Sequence, residues 1–464
     1  MRIFVIGITL FALYFGAGNL IFPVMLGQLS GDHFALASWG FIITGVILPL
    51  LGVIAVGFSG EQDCLKITQR AGTIFGFIFA TTLYLTIGPL FAMPRTGSVS
   101  YEIGIKPFVS ENHSSLALAI FSILFYGLCC FLSLRPHKFI DIVGKFLTPI
   151  KIGFILILIL AALCFPMGIP LPPVNIDYQQ IPFFTGFSQG YLTMDTLASL
   201  VFGIIVVQGI VQSGIEDKHK IMLGCFKATL IAGAILAFFY IALAYMGASS
   251  VSQLGILKNG GQVLAHASNY YFGTWGNLIL GLMVIVACMT TNIGLTHACA
   301  NYLVSLYPKL TYRHYAILFT IISALFANIG LNALIAFSVP VLSVIYPVTI
   351  VFIALTFIHR LFDGYKLVYI GAIYFTLFTS ILSELNTMLL PDTTLYEYLP
   401  TIAQLVNLLH NRFIDYMPLY QQGIGWITPA IIGGILGYIV AKCTTQKKIF
   451  AIKEHELCQT TKHN

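Results

Sequence analysis

Long apolar stretches recur along the whole chain, and they restrict its fold more than any other feature. A stretch of about 18 or more mostly apolar residues is long enough to cross a bilayer as a helix. Twelve such stretches lie near residues 3–27, 34–57, 72–98, 114–134, 139–165, 184–214, 221–248, 272–306, 313–329, 331–358, 367–390 and 423–442. Because a helix satisfies its own backbone hydrogen bonds in lipid, the sequence predicts an all-α polytopic membrane protein with twelve transmembrane helices.

The basic residues support this topology. With the N-terminus in the cytoplasm, the outer connections and the helix ends beside them contain four of the 23 lysine and arginine residues: Arg95, Lys106, Lys258 and Arg412. The rest lie in inner loops, inner helix ends or the C-terminal tail, which is the bias that orients membrane helices. We therefore expect both termini in the cytoplasm. The outer loop 391–422 contains an amphipathic stretch, residues 395–416, that is expected on the outer membrane surface.

Composition excludes several classes of function. The chain is 58% hydrophobic and 9% charged, whereas about 25% of the residues of a soluble domain are charged. The basic residues behind the net charge of +6 lie in short loops between apolar stretches, so no nucleic-acid partner is expected. The histidines form no HxxxH or HExxH pattern, and we expect no catalytic residues and no cofactor. The expected partners are the lipid bilayer and small solutes.

The stretch FGAGNLIFP, residues 15–23, is poorly suited to a simple membrane-crossing helix. Gly16 and Gly18 lower helix propensity and expose the backbone. Asn19 is able to bond to freed main-chain groups, and Pro23 removes an amide donor. One interpretation is close helix packing through small residues. The other is a helix that stops and restarts within the bilayer, which is tolerated beside a cavity or a ligand.

The sixth stretch is irregular at a corresponding place. It contains Gly186, Gly190 and then Asp195, which lies about 16 Å from the start of the stretch and so near the centre of the bilayer. A carboxylate at that depth is costly and is expected to face a cavity or a polar partner. Breaks in the first and sixth stretches are typical of transporters whose binding site lies between two five-helix repeats. This pairing favours the broken-helix interpretation of FGAGNLIFP.

Polar residues in the third and eighth stretches extend the pattern. Thr290 and Thr291 lie near the middle of the eighth stretch. Their hydroxyl groups either bond back to the helix or supply oxygen ligands to a monovalent cation. In the third stretch, Pro89 and Pro94 predict kinks. Tyr84 is a candidate for the wall of a substrate cavity, and Arg95, close to the outer end, for an outer-gate or interface residue.

Lys151 lies roughly 18 Å into the fifth stretch, too deep for its ammonium group to reach the membrane surface easily. A buried lysine is able to exchange a proton. Proton coupling is therefore one interpretation of Lys151. A pair with an acidic group nearer the cytoplasm is the other.

Five stretches carry a family resemblance. They read LFALYFGAGNLIFPVMLGQLSG, YLTIGPLFAMPRTGSVSYE, GKFLTPI, GYLTMDTLASLVFG and ACMTTNIGLTHACANY. In them, and over essentially all twelve segments, the chain resembles the branched-chain amino acid:cation symporters, bacterial carriers of leucine, isoleucine and valine. That family belongs to the LeuT-like superfamily. The resemblance implies two inverted five-helix repeats, residues 1–165 and 184–358, discontinuous helices 1 and 6, and two accessory helices within 359–464.

The resemblance also implies a site between the two broken helices. The implied substrate contacts are Tyr14, Gly16, Ala17, Gly18 and Asn19 in the first helix and Asp195, Thr196 and Leu197 in the sixth. The implied sodium ligands are the carbonyl groups of Ala12 and Phe15 together with Ala287, Thr290 and Thr291, which match an Ala-x-x-[Thr/Ser]-[Thr/Ser] run. The family is apolar where this chain has Lys151, and in some relatives of the fold a lysine of the fifth helix occupies the sodium position.

The expected function is secondary active import of branched-chain amino acids with a monovalent cation, sodium being the first choice. The expected location is the cytoplasmic membrane of a bacterium. One alternative is proton-coupled or sodium-independent transport that uses Lys151. The other is an amino acid sensor that has lost transport. An enzyme is not expected.

Overall fold

The computed structural model describes residues 2–59, 64–134, 148–212, 217–390, 399–414 and 416–460. This part of the chain is helical and contains no β-strand. Helices α1 to α8 are Arg2–Tyr14, Ala17–Ser30, Phe34–Ile42, Leu48–Ser59, Cys64–Thr68, Thr73–Leu85, Ala92–Gly104 and Ser114–Ser133. Helices α9 to α14 are Thr148–Cys164, Ile176–Gln180, Pro182–Gln189, Asp195–Gln212, Lys218–Leu254 and Gly260–Leu306. Helices α15 to α19 are Tyr312–Ala327, Leu331–Phe357, Lys366–Met388, Pro400–Phe413 and Ile427–Thr460.

Apolar helices make up most of this structure. Among the described residues, nine helical stretches are long and apolar enough to cross a membrane: Ala17–Ser59, Thr73–Phe108, Glu111–Ser133, Asp195–Gln212, His219–Leu254, Gly260–Leu306, Leu331–Phe357, Lys366–Met388 and Ile427–Thr444. Three shorter apolar helices accompany them: Ile3–Tyr14, Ile152–Cys164 and Tyr312–Ala327. The prediction of an all-α protein with many membrane-spanning helices is confirmed.

The described helices group into two compact units. One comprises residues 1–62 and 80–342, and the other residues 63–79 and 343–464. In the second unit, α17 and α19 approach so closely that a Cβ atom at Gly371 would overlap the carbonyl group of Gly433. Small residues permit such close helix packing in membranes. The expected amphipathic stretch is helical over Pro400–Phe413, while residues 395–398 and 415 lie outside the described part of the chain.

The first apolar segment is interrupted within FGAGNLIFP. Helix α1 ends at Tyr14 and α2 begins at Ala17. Between them Gly16 is extended, with φ −99° and ψ −161°, and its amide donates to the carbonyl oxygen of Tyr14 at 2.6 Å. Pro23 lies inside α2 and does not end that helix.

The sixth apolar segment has a comparable interruption. Helix α11 ends at Gln189, a 3-10 segment covers Gly190–Thr193, and α12 begins at Asp195. Met194 lies between them in the left-handed region, with φ 63° and ψ 9°, which costs a residue with a side chain about 1–2 kcal/mol. This turn places Asp195 in the first turn of α12.

The third apolar segment is also interrupted. Helix α6 ends at Leu85, a π-helical segment covers Thr86–Leu90, and α7 begins at Ala92. Within it, Gly88 leaves the helical region with φ −95° and ψ −124°. The sequence predicts kinks at Pro89 and Pro94. Pro89 lies in the interruption, whereas Pro94 lies in the first turn of α7, where a missing amide hydrogen costs no helical hydrogen bond.

Helices α2 and α13 pack closely through a pair of glycines. A Cβ atom at Gly27 would overlap the carbonyl group of Ala244, and one at Gly247 would overlap the carbonyl group of Val24. The same pairing brings Asn19 of α2 into hydrogen-bonding contact with Tyr240 of α13.

Candidate functional site

A small cavity lies where the three interrupted segments meet in the first unit. Its volume is about 50 Å³, which is room for a few water molecules. One part of its wall comes from residues 16–19 at the start of α2, residues 193–195 at the start of α12, and Arg95, Thr96 and Thr291. The apolar part includes Leu13, Ile87, Ala198, Phe202 and Leu295.

The first turn of α2 forms one side of the cavity. The opening amide groups of a helix have no partner within it and carry partial positive charge. Gly16 precedes α2 and provides no side chain that would cap these amides. Tyr14, Gly16, Ala17, Gly18 and Asn19, all predicted as substrate contacts, line the cavity together.

Asp195 forms the acidic side of the cavity and is 5% exposed. Its Oδ2 atom accepts hydrogen bonds from the Asn19 side-chain amide and, at 3.2 Å, from the Tyr240 hydroxyl. The Asn19 amide also donates to the Tyr240 hydroxyl oxygen. One carboxylate therefore connects α2, α12 and α13.

Sequence reasoning did not identify Tyr240. It lies in the apolar run FFYIALAY of α13, where an aromatic residue is ordinary core material. Its contact with Asp195 depends on how α13 packs against α2, and one segment read by itself contains no signal for that packing.

Arg95 also lines this cavity, and it is 2% exposed. We expected it at an outer gate or interface, and that role stays a prediction. The π-helical segment Thr86–Leu90 interrupts the third segment, and the helix that contains Arg95, α7, starts anew at Ala92. The Arg95 guanidinium donates to the carbonyl oxygen of Leu192 and lies 4.8 Å from the centre of the Phe22 ring.

The two threonines of the eighth segment share an acceptor. The hydroxyl groups of Thr290 and Thr291 donate to the carbonyl oxygen of Ala287, at 2.7 and 3.2 Å. Each hydroxyl oxygen still has lone pairs with which to accept or coordinate. Thr291 lines the cavity beside Gly16, and a Cβ atom built on Gly16 would lie 3.6 Å from the Thr291 hydroxyl oxygen.

The carbonyl groups of Ala12 and Phe15 lie at the end of α1. Phe15 donates its amide hydrogen to Phe11 at 2.8 Å in the helical manner, but Gly16 donates to Tyr14, two residues back. The hydrogen-bond ladder of α1 therefore ends here. Thr291 lies beside Gly16, the residue that follows the end of this ladder.

Three predicted substrate contacts lie outside the cavity wall. The Thr196 hydroxyl donates to the carbonyl oxygen of Thr44 at 3.0 Å, and Thr44 lies between α3 and α4. Leu197 is fully buried in the apolar core. Tyr84 stacks on Tyr302 with ring centres 3.9 Å apart.

Lys151 belongs to α9 by its backbone, and its side chain lies outside the described part of the structure. Its role in coupling stays a prediction.

A second polar cluster lies at the end of α7. The Oε1 atom of Glu102 accepts from Lys106 at 2.9 Å, from Asn259 at 3.1 Å and from Gln262 at 2.8 Å. Asn259 also caps α14 by accepting from the Gln262 amide at 3.0 Å, and it donates to Asn332 at 2.9 Å. A cavity of about 320 Å³ borders this cluster and shares no lining residue with the first cavity.

Comparison with known sequences gives consistent matches over almost the full length. The family model described as branched-chain amino acid transport protein matches residues 1–444. The branched-chain amino acid permease BrnQ of Bacillus subtilis is 48% identical over 439 residues, which are 95% of this chain and 96% of that protein. The permease BraB of the same organism is 44% identical over 436 residues, 94% of each chain. BrnQ of Escherichia coli is 36% identical over 438 residues, 94% of this chain and 95% of that one.

Two solved structures show the same fold. Mhp1, a nucleobase-cation-symport-1 family transporter, matches with a TM-score of 0.56 and 14% identity, over 90% of this chain and 96% of that chain. MhsT in complex with L-phenylalanine matches with a TM-score of 0.58 and 13% identity, over 94% of this chain and 97% of that chain. At these identities the likeness concerns the fold alone.

Proposed function

The chain belongs to the branched-chain amino acid transport protein family, and we propose that it imports leucine, isoleucine or valine as a secondary active transporter. The family resemblance predicted from the sequence is confirmed. The relatives are permeases, so this is a family of membrane transporters and not of enzymes.

The cavity between the interrupted segments is the observation that supports this function. A branched-chain amino acid has an ammonium group, a carboxylate group and an apolar side chain. Asp195 offers a carboxylate for the ammonium group, and the first amides of α2 favour a negative charge. Phe202 and Leu295 offer apolar surface to the side chain. The cavity is smaller than a leucine molecule, so binding requires it to widen.

The proposed architecture is the one implied by the sequence. Helices α1 and α2 would be the two halves of a discontinuous first transmembrane helix, and α11 and α12 those of the sixth. Ten of the twelve spans would form inverted repeats of residues 1–165 and 184–358, and the last two would be accessory helices. The placement of lysine and arginine supports both termini in the cytoplasm, and the bacterial relatives support a bacterial cytoplasmic membrane.

We place the coupling sodium ion, as a second substrate, between the end of α1 and the middle of α14. Its ligands would be the carbonyl groups of Ala12, Phe15 and Ala287 and the hydroxyl groups of Thr290 and Thr291. The position of Thr291 beside Gly16 supports this choice, since a sodium ion prefers oxygen ligands. The alternative is a proton-coupled or sodium-independent cycle that uses Lys151.

Leucine uptake into proteoliposomes tests the proposal. The purified protein should accumulate labelled leucine when a sodium gradient is imposed, and unlabelled isoleucine and valine should compete. Uptake that ignores sodium but follows a proton gradient would favour the Lys151 alternative. Absence of uptake under both gradients would reject import, and absence of leucine counterflow as well would favour a non-transporting sensor.

A further inference from the structure

A buried arginine lies in the wall of the cavity, and the proposed function as stated so far gives it no role. Arg95 is 2% exposed and belongs to α7. A charged side chain inside a membrane protein is costly and commonly marks a binding or transport function. After the interruption at Thr86–Leu90, α7 begins beside the cavity at Ala92, and Arg95 lies in its first turn.

The surroundings of Arg95 form the electropositive side of this cavity. A Cβ atom built on Gly18 would lie 3.1 Å from the Nη1 atom of Arg95, so the guanidinium lies against the first turn of α2. That turn carries the partial positive charge of a helix N-terminus. On the other side, Nη1 donates to the carbonyl oxygen of Leu192 in the segment before Asp195.

The cavity wall therefore contains a cation and an anion on different elements. Arg95 comes from α7, and Asp195 comes from α12. A guanidinium is planar, stays protonated and matches a carboxylate through two parallel hydrogen bonds. A zwitterionic amino acid is the ligand whose two charges complement such a wall.

We propose that Arg95 binds the α-carboxylate of the transported amino acid, while Asp195 receives its ammonium group. This inference rests on the proposed function and adds to it a residue that determines specificity. Recognition then depends on a carboxylate. Compounds that keep the leucine side chain and amine but replace the carboxylate, such as leucinol, should bind poorly to the native protein.

Binding of leucine and leucinol to purified variants tests this role. Arg95→Gln should weaken leucine binding by about 100-fold and change leucinol binding by less than about threefold, because leucinol has no carboxylate to lose. Arg95→Lys should weaken leucine binding by about tenfold with the same small effect on leucinol, since an ammonium keeps the charge but not the planar fork. Lys106→Gln is the matched control, because Lys106 follows α7 and lies outside this cavity. It should leave the preference for leucine over leucinol unchanged.

Equal weakening of leucine and leucinol in the Arg95 variants would overturn the proposal. Arg95 would then act by holding the Leu192 carbonyl and so positioning the second interruption. If Arg95→Gln fails to fold, the Arg95→Lys comparison decides by the same criterion. If the native protein binds no leucine, the proposed function fails along with the inference. If the native protein binds and transports leucine and the variants show equal weakening, only the inference fails.

Discussion

Asp195 connects three helices and provides the negative charge of the proposed substrate site. Asparagine at this position keeps the shape of the side chain and removes the charge. We expect Asp195→Asn to fold and to lower kcat/KM for leucine uptake at least about tenfold, which corresponds to about 1.4 kcal/mol. Uptake by proteoliposomes measures the effect. Ser199→Ala on the same helix is the control, because its hydroxyl group bonds within α12 to Thr196 at 2.6 Å. Native kinetics in Asp195→Asn would contradict the assignment.

Thr291 is the proposed sodium ligand that lines the cavity. Loss of one contact to a charged group costs about 1.5 kcal/mol, roughly a factor of ten in affinity. Thr291→Ala should therefore raise the sodium concentration for half-maximal leucine uptake by about tenfold, and Thr291→Ser should restore it. Thr296→Ala serves as the control, since its hydroxyl group donates to Asn292 at 2.8 Å. A variant with unchanged sodium dependence would argue against a cation at this place.

At the scale of an element, the second interruption depends on Met194 in the left-handed region. Glycine adopts this conformation without steric cost, whereas a β-branched residue does so least readily. Met194→Gly should keep or raise the melting temperature in detergent, and Met194→Val should lower it. The opposite order would mean that residues 190–195 do not form the turn seen here.

The start of α14 provides a second prediction at this scale. Loss of a helix cap costs about 1 kcal/mol. Asp217→Ala removes only the cap of α13, so its melting temperature is the reference for the loss of a cap alone. Asn259→Ala removes a cap and also the hydrogen bonds to Glu102 and Asn332. Loss of a buried partner adds about 1–3 kcal/mol. The melting temperature should therefore fall further for Asn259→Ala than for Asp217→Ala. Equal losses would show that the Glu102 cluster adds little stability.

Several residues of the candidate site could be predicted from the sequence because they are unfavourable in an apolar helix. Glycine and asparagine in FGAGNLIFP and the carboxylate of Asp195 are costly in an apolar helix, so their positions pointed to the cavity. Thr196 shows the limit of such reading. It follows Asp195 on α12, and neighbouring positions of a helix point about 100° apart. Its hydroxyl group consequently bonds to Thr44, away from the cavity.

At the scale of the whole molecule, the apolar stretches could be recognised because each is long enough to cross the bilayer. The fold was predicted from the family resemblance. The tertiary contacts between helices could not be predicted from the sequence. Tyr240 reaches Asp195 only because Gly27 and Gly247 let α2 and α13 approach each other. Arg95 lines the cavity from the first turn of α7, which begins after the interruption at Thr86–Leu90. Neither contact follows from the periodicity of one segment.

The membership in this family and the shape of the cavity lead to one claim, that branched-chain amino acids bind between the interrupted segments. Protection of a single cysteine from alkylation tests it, in a background without the nine native cysteines that retains leucine uptake. Ala198→Cys lies in the wall of the substrate cavity, and Ser114→Cys lies in the wall of the second cavity. Saturating leucine should slow alkylation at position 198 and leave the rate at position 114 unchanged. Alkylation at position 198 that is indifferent to leucine, in a protein that still transports leucine, would contradict the binding site proposed here.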